Sequence, residues 1–486
     1  MTDQPNILVI MTDQQRGDCL SWEDHPCLLT PNMDHIAGRG SHFARAYSTC
    51  PSCIPARRAM LTGQYPATNG MVGYREGFEF HQPTLPGELK KAGYQTVLVG
   101  RSMHQHPPRK RYGFNEMIVQ DGRDGIDDYQ RDLMRDHPEE RHAYRVFGMT
   151  TSHGISGNGW TARPWHYDES LHPTTWTVAE TEKFLHTRDS TTPYFAIASF
   201  MAPHPPLVPP AFYMDRYLRA AIPDPVIGDW AEPPPGKGKE RGKGFAIDSS
   251  SVHLTGEALR SCRAAYYGMI NHVDDQVRRL TEAANATSHG RPTVIIFTAD
   301  HGEMLGDHYC FRKCYPYESS ARIPLLIAAP HEAGFKTSQS VAAPVCLEDI
   351  MPTCLDLAGA DVPEGVDGRS LVPLLRGETE SANWRPWLHG EHSTIYRENV
   401  GNHYLVDEQY KYIWLPESGR ELMFDLKRDP TERTNLARVA SQQDRLATWR
   451  SRLIDELKDR PEGFVENGKL IPGRPYEAVM PHAKPN

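Results

Sequence analysis

Residues 53–63 read Cys53-Ile54-Pro55-Ala56-Arg57-Arg58-Ala59-Met60-Leu61-Thr62-Gly63, and the rest of the chain is organised around them. The pattern is Cys-x-Pro-x-Arg followed by Leu-Thr-Gly. It predicts a loop carrying Cys53 and Pro55, with Arg57 opening a helix. A loop-to-helix turn of this kind offers backbone N–H groups to an anion. The same stretch contains Cys50-Pro51-Ser52-Cys53, a C-x-x-C that elsewhere would be half a zinc site or a redox dithiol. A zinc site needs a second ligand pair. The candidates, Cys310 and Cys314, stand in a segment with another explanation. A redox motif should follow a strand within a short βαβ unit, whereas here a Leu-Thr-Gly helix and a far larger chain follow.

Outward from this stretch, apolar runs alternate with helical segments. Ile7-Leu8-Val9-Ile10-Met11, Thr96-Val97-Leu98-Val99-Gly100, Tyr194–Phe200 and Val294–Thr298 read as strands buried on both faces. Thr30 as N-cap and Pro31 at the first helical position open a helix. Thr84–Tyr94 is a helix stopped by glycine, and Thr177–Leu185 and Leu259–Leu280 are helical too. The alternation implies an α/β fold, a large and mostly parallel central sheet flanked by helices on both faces. Tyr404–Val406 and Lys411–Trp414 read as paired antiparallel strands, and Gln442–Leu457 as a helix. The expected division is a catalytic domain over residues 1–376 and a smaller α+β domain with an antiparallel sheet over 387–486. Gly377–Pro386 is the linker between them. Residues 109–175 show no clean periodicity, and Glu232–Ser251, rich in Pro, Gly, Lys and Ser, reads as a mobile insertion.

Composition narrows the class. A chain of 486 residues can bury a large core, and a net charge of −9 argues against a general nucleic-acid binder. Nine cysteines at this length are no disulfide scaffold. The N-terminus enters a strand without a basic or apolar leader, and no run approaches the ~20 apolar residues of a membrane helix. The expectation is a cytoplasmic protein with neither membrane nor nucleic acid as partner.

Polar residues gather where the strands end, which is where open α/β sheets bind ligands. Asp13-Gln14 follows the first strand, Gly100-Arg101-Ser102-Met103-His104 the next, and Pro203-His204-Pro205-Pro206 the third. Asp300-His301-Gly302-Glu303-Met304-Leu305-Gly306-Asp307-His308 follows the last, with Lys313 beyond it. Together with Cys53–Gly63 these motifs resemble the sulfatase family, the formylglycine-dependent branch of the alkaline phosphatase superfamily. The resemblance runs from residue 6 to about 376 and returns at Phe424-Asp425-Leu426, Asp429-Pro430 and Asn435-Leu436-Ala437.

The resemblance implies a sulfuric ester hydrolase acting on a sulfated carbohydrate or aryl sulfate. Cys53 would be oxidised by a formylglycine-generating maturase to an aldehyde that works as its hydrate. Unlike a serine ester, a sulfated hydrate can expel sulfate by re-forming the aldehyde. Asp13, Gln14, Asp300 and His301, with residue 53 itself, would hold a divalent metal: Ca²⁺ by family default, with Mn²⁺, Mg²⁺ or Zn²⁺ compatible with the donors. His104 would be the base of the elimination. His204, with Lys313 beside it, would protonate the leaving alcohol, and Arg57 would grip the anion by bidentate hydrogen bonds. Where the family has Gly-Lys-x-His this chain has one residue more, so either Arg101 or Ser102 stands for the lysine. The His, Arg and Trp content of the non-periodic stretches points to a polar, sugar-derived substrate contacted by Arg101, Arg109 or His392. Two other readings remain open on the sequence. One is a phosphonate monoester or phosphodiester hydrolase of the same superfamily; the other is a binding protein whose cysteine is never converted. Asp274-Asp275, Leu347–Thr353 and Asp367–Leu371 are read as structural.

Overall fold

A computed structural model describes residues 4–120, 127–140, 158–234, 249–330, 334–378, 384–396 and 401–484. Most of the expected insertion at 232–251 and half of the expected linker lie outside these residues. In chain order the strands are β1 (Asn6–Asp13), β2 (Gly40–Phe43), β3 (Ala46–Tyr47), β4 (Gln95–Arg101) and β5 (Glu116–Gln120). Next come β6 (Tyr194–Pro203), β7 (Thr293–Ala299), β8 (Leu325–Ala328), β9 (Gln339–Val341) and β10 (Val345–Cys346). The last four are β11 (Leu388–His392), β12 (Asn402–Val406), β13 (Tyr410–Leu415) and β14 (Arg420–Asp425).

Eight strands form the large sheet in the order β5-β4-β6-β1-β7-β8-β2-β9. Its pairings are parallel except for the two that β8 makes, with β7 and with β2. β1 lies in the middle between β6 and β7, and all eight of its residues are buried. Leu8 and Ile10 join one core with the long helix Gly256–Ala286. Ile7, Val9 and Met11 join the opposite core with Ala56, Met60 and Leu61 of the Cys53–Thr62 helix. Burial on both faces is why this strand is continuously apolar instead of alternating. Each such side chain contributes ~1.5–3 kcal/mol of transfer free energy.

Three local expectations need correction. The Cys53–Thr62 helix begins at Cys53 itself, with Ser52 extended before it, so Cys53 and Pro55 lie in the first helical turn and not in a loop. Proline is tolerated there because first-turn N–H groups have no intrahelical acceptor. The helix Pro31–Arg39 follows Thr30 as expected, but the Thr30 side chain makes no capping bond. Asp274 of the long helix caps it instead, accepting from Met33 N at 2.8 Å and Asn32 N at 3.1 Å. Residues 109–175, expected to be irregular, contain β5, the helix Asp128–Asp136 and the start of the helix Pro173–Thr187. Their apolar signal is faint because they are short. The Asp128–Asp136 helix buries only Tyr129 and Leu133 among its apolar residues.

β11–β14 form a separate antiparallel sheet, with Tyr404 opposite Ile413 in register. One face packs Leu405, Tyr412, Trp414 and Met423 against Leu446, Trp449, Leu453 and Leu457 of the helix Gln443–Leu457. The other packs Tyr404, Val406, Ile413, Leu422 and Phe424 against Tyr47, Met304 and Tyr317. Buried Lys411 ties this sheet to the segment behind the site. It donates to Glu318 at 2.6 Å, Pro316 O at 2.9 Å and Glu432 at 3.0 Å. Among the described residues no helix is long and apolar enough to cross a membrane.

Candidate active site

The parallel topology brings the carboxyl ends of β1, β4, β6 and β7 to one rim, and the Cys53–Thr62 helix points its N-terminus there. Cys53 is the meeting point. Its Sγ lies 2.9 Å from Lys313 Nζ, 3.2 Å from His301 Nε2 and 3.5 Å from Asp13 Oδ1. Gly63 closes the helix with φ of 65°, a left-handed conformation that suits glycine. Its carbonyl accepts from Asp367 N and Gly368 N, both at 2.9 Å, so that landmark is structural as expected.

Asp13 and Asp300 are fully buried among cations. Asp13 Oδ2 faces Arg101 Nε at 3.3 Å and Arg57 Nη2 at 3.4 Å, leaving Oδ1 toward Cys53. Burial pushes its pKa up, but His204, Arg57, Lys313 and Arg101 outweigh that and hold it well below the usual carboxylate range. Asp300 Oδ2 accepts from Arg57 Nε at 2.8 Å, while Oδ1 accepts from Gln14 N and His301 N. His301 Nδ1 donates to Gly302 O at 2.9 Å, which leaves the Nε2 lone pair facing Cys53. Burial raises the Cys53 thiol to about 11, Asp13 adding to the rise and Lys313 opposing it. An unmodified thiol in this place is therefore protonated at neutral pH and a weak nucleophile.

One ligand atom from each of Asp13, Cys53, Asp300 and His301 lies within 4.8 Å of the others. Buried carboxylates, an imidazole with its free nitrogen turned inward and the Gln14 carboxamide beside them fit a divalent cation. None of Cys50, Cys310 and Cys314 belongs to this group.

The remaining expected residues take varied places. Arg101 is fully buried against Asp13, whereas Ser102 gives its carbonyl to Arg57 at 3.1 Å. Arg57 Nε donates to Asp300 Oδ2 and Nη1 to Ser102 O and Ser199 Oγ, while Nη2 faces Asp13 Oδ2 at 3.4 Å with no hydrogen-bond partner of its own among the described residues. His204 is buried, with Nδ1 donating to Pro205 O at 2.5 Å, so Nε2 is the atom it can use. His104 follows with a left-handed φ of 54°, its N–H donating to Ser102 Oγ. Arg109 pairs with Asp128 at 2.8 Å. His392 is fully buried, its Nδ1 donating to Ser393 O and its Nε2 accepting from Ser52 Oγ at 2.8 Å. Burial lowers it to about 4, so it is neutral. It supports the residue before Cys53.

The sulfatase family model matches residues 5–360. The chain belongs to the sulfatase family. The family model described as N-sulphoglucosamine sulphohydrolase, C-terminal, matches residues 306–459. An arylsulfatase of Clostridium perfringens is 39% identical over 488 residues, covering 98% of this chain and 99% of that one. An N-acetylglucosamine-6-O-sulfatase of Bacteroides thetaiotaomicron is 26% identical over 526 residues, covering 94% of this chain and 88% of that one. The phosphonate monoester hydrolase of Agrobacterium radiobacter superposes with a TM-score of 0.75 at 27% identity, covering 93% and 95% of the two chains. This sulfatase is thus a sulfuric ester hydrolase, and membership implies a divalent metal and a formylglycine. Sequence reasoning passed over Glu303, Ser52 and Ser199. Only Glu303 carried a signal, lying inside the Asp300–His308 motif.

Proposed function

We propose that the chain removes sulfate from a sulfated saccharide, using a formylglycine made from Cys53 and a Ca²⁺ ion. The ion's ligands would be Asp13, Gln14, Asp300, His301 and residue 53. The observation that carries this reading is the convergence on Cys53 Sγ of Asp13, His301 and Lys313. Oxygen donors dominate the set, which favours a hard cation. When present, the metal and the aldehyde hydrate supply Lewis acidity and a hydroxyl nucleophile in place of a thiol.

The chain's own residues do the rest. Lys313, between Cys53 and Gln14, and Arg101, beside Asp13, bring positive charge to bear on the sulfuryl oxygens. Arg57 keeps both aspartates oriented. His204, fixed by Pro205 O, passes a proton from Nε2 to the leaving alcohol. His104 is the base for the proton released at residue 53. A sugar substrate is supported by the N-acetylglucosamine-6-O-sulfatase relative and the sulphoglucosamine C-terminal match. The phosphonate monoester hydrolase likeness favours a second reading, hydrolysis of a singly charged phosphonate ester at the same site.

One panel tests these readings: sulfated mono- and disaccharides, nitrophenyl sulfate and a phosphonate monoester, with peptide mass spectrometry of residue 53. The expected result is conversion at Cys53 and not Cys50, preference for a sulfated sugar, and loss of turnover in Cys53→Ala with the fold intact. Preference for the simple aryl ester would overturn the substrate class. Full activity of Cys53→Ala would overturn the nucleophile.

A further inference from the structure

Gln14 is held at four points. Its backbone, at a left-handed φ of 75°, donates N–H to Asp300 Oδ1 at 3.0 Å and accepts from Tyr266 OH at 2.6 Å. Its side chain lies between Lys313 Nζ, 3.0 Å from Oε1, and Glu303 Oε2, which accepts from Nε2. Glu303 is buried and outside the proposed ligand set. Its Oε1 is filled by two backbone N–H groups, Leu305 at 2.9 Å and Arg312 at 2.5 Å, leaving Oε2 for Gln14.

The polarity of this chain of bonds follows from the donor inventory. An ammonium has protons only, so the end of the amide facing Lys313 is its oxygen. The other end is then the NH₂, which needs an acceptor, and Glu303 Oε2 is one. A carboxamide can accept at one end and donate at the other. A carboxylate at position 14 would set two buried negative charges against each other. We propose that Glu303 is a positioning residue that fixes the polarity of the Gln14 carboxamide. Its oxygen is thereby kept on the Lys313 and Cys53 side of the site, available to a divalent cation. This rests on the reading of Gln14 as a cation donor.

The test uses the full chain, stripped with a chelator and titrated calorimetrically with Ca²⁺ and Mn²⁺, so that the readout is cation affinity and not turnover. In Glu303→Gln the new amide must give its oxygen to Leu305 and Arg312, and it then meets the Gln14 NH₂ with an NH₂. Affinity is expected to fall ~10–100-fold, the usual cost of losing a partner behind a metal ligand. Exchanging the groups, Gln14→Glu with Glu303→Gln, restores donor to acceptor and keeps an oxygen toward Lys313. It should recover at least ~10-fold of the loss. Gln14→Ala separates the two layers of the argument. If Gln14→Ala weakens the cation and Glu303→Gln does not, the role of Glu303 is wrong. If Gln14→Ala changes nothing, the donor reading fails and takes this inference with it. Failure of the exchanged pair to fold, or to bind better than Glu303→Gln, also overturns the proposal.

Discussion

Replacing Lys411 by methionine removes the one ammonium that joins β13 to Glu318 and Glu432. Glu318 keeps Arg322 at 3.3 Å, Arg45 at 3.6 Å and the Tyr47 hydroxyl at 2.9 Å. Glu432 has less: it accepts from Glu318 N at 2.7 Å, and burial already raises it to about 7 despite Lys411. Breaking a buried pair by deleting one partner costs ~3–5 kcal/mol. For 486 residues at ~2.1 cal/mol/K each, the unfolding entropy is about 1 kcal/mol/K, so Tm should fall by ~3–5 °C. The cost depends on pH. A carboxyl whose folded pKa lies above its unfolded value loses stability as pH rises between the two, here from 4.5 through about 7. Without Lys411 the folded value climbs further, so the deficit should be larger at pH 8 than at pH 5. Calorimetric scans at both pH values measure it, and Lys411→Met with Glu432→Gln should recover part of the loss at pH 8. A Tm within about 1 °C of the parent at both pH values would refute the reasoning.

Two further outcomes can be measured. His204→Ala should slow sulfate esters with poor leaving groups by ~10²–10⁴-fold and activated aryl esters far less. An equal loss across leaving groups would remove His204 as the acid. His25 and His308 are each lowered to about 4 by burial, and each ring Nδ1 accepts backbone N–H: Leu28 at 2.9 Å and Gly228 at 3.0 Å respectively. The unfolded chain titrates them near pH 6.5, so it binds more protons between about 4 and 6.5, and each costs ~1.4 kcal/mol per unit as pH falls through that window. His308→Gln should therefore lose less stability than the parent between pH 7 and pH 5 in urea titrations. Identical losses would show that His308 is not held neutral.

How much of this was legible in the sequence depends on the range of the interaction. β1, β4, β6 and β7 announce themselves as apolar runs because two cores bury both of their faces, and strand ends then locate Asp13, His204 and Asp300 without coordinates. The motif around Cys53, together with the motifs at those strand ends, pointed to the family and the reaction class. Short, half-polar elements such as β5 and the helix Asp128–Asp136 escaped, since too few of their side chains are apolar to set a period.

What the sequence determined by itself is therefore the sheet, the order of motifs along its rim and the family to which they belong. The tertiary structure alone decided the pairings between distant side chains: Arg101 on Asp13, Arg57 turned to the two aspartates, His392 behind Ser52, and the Gln14 amide between Lys313 and Glu303. A pattern read along one chain reports local period and composition. The partners of a buried polar group sit tens to hundreds of residues away, and which of them it meets is settled only when packing removes water and leaves each donor to find an acceptor.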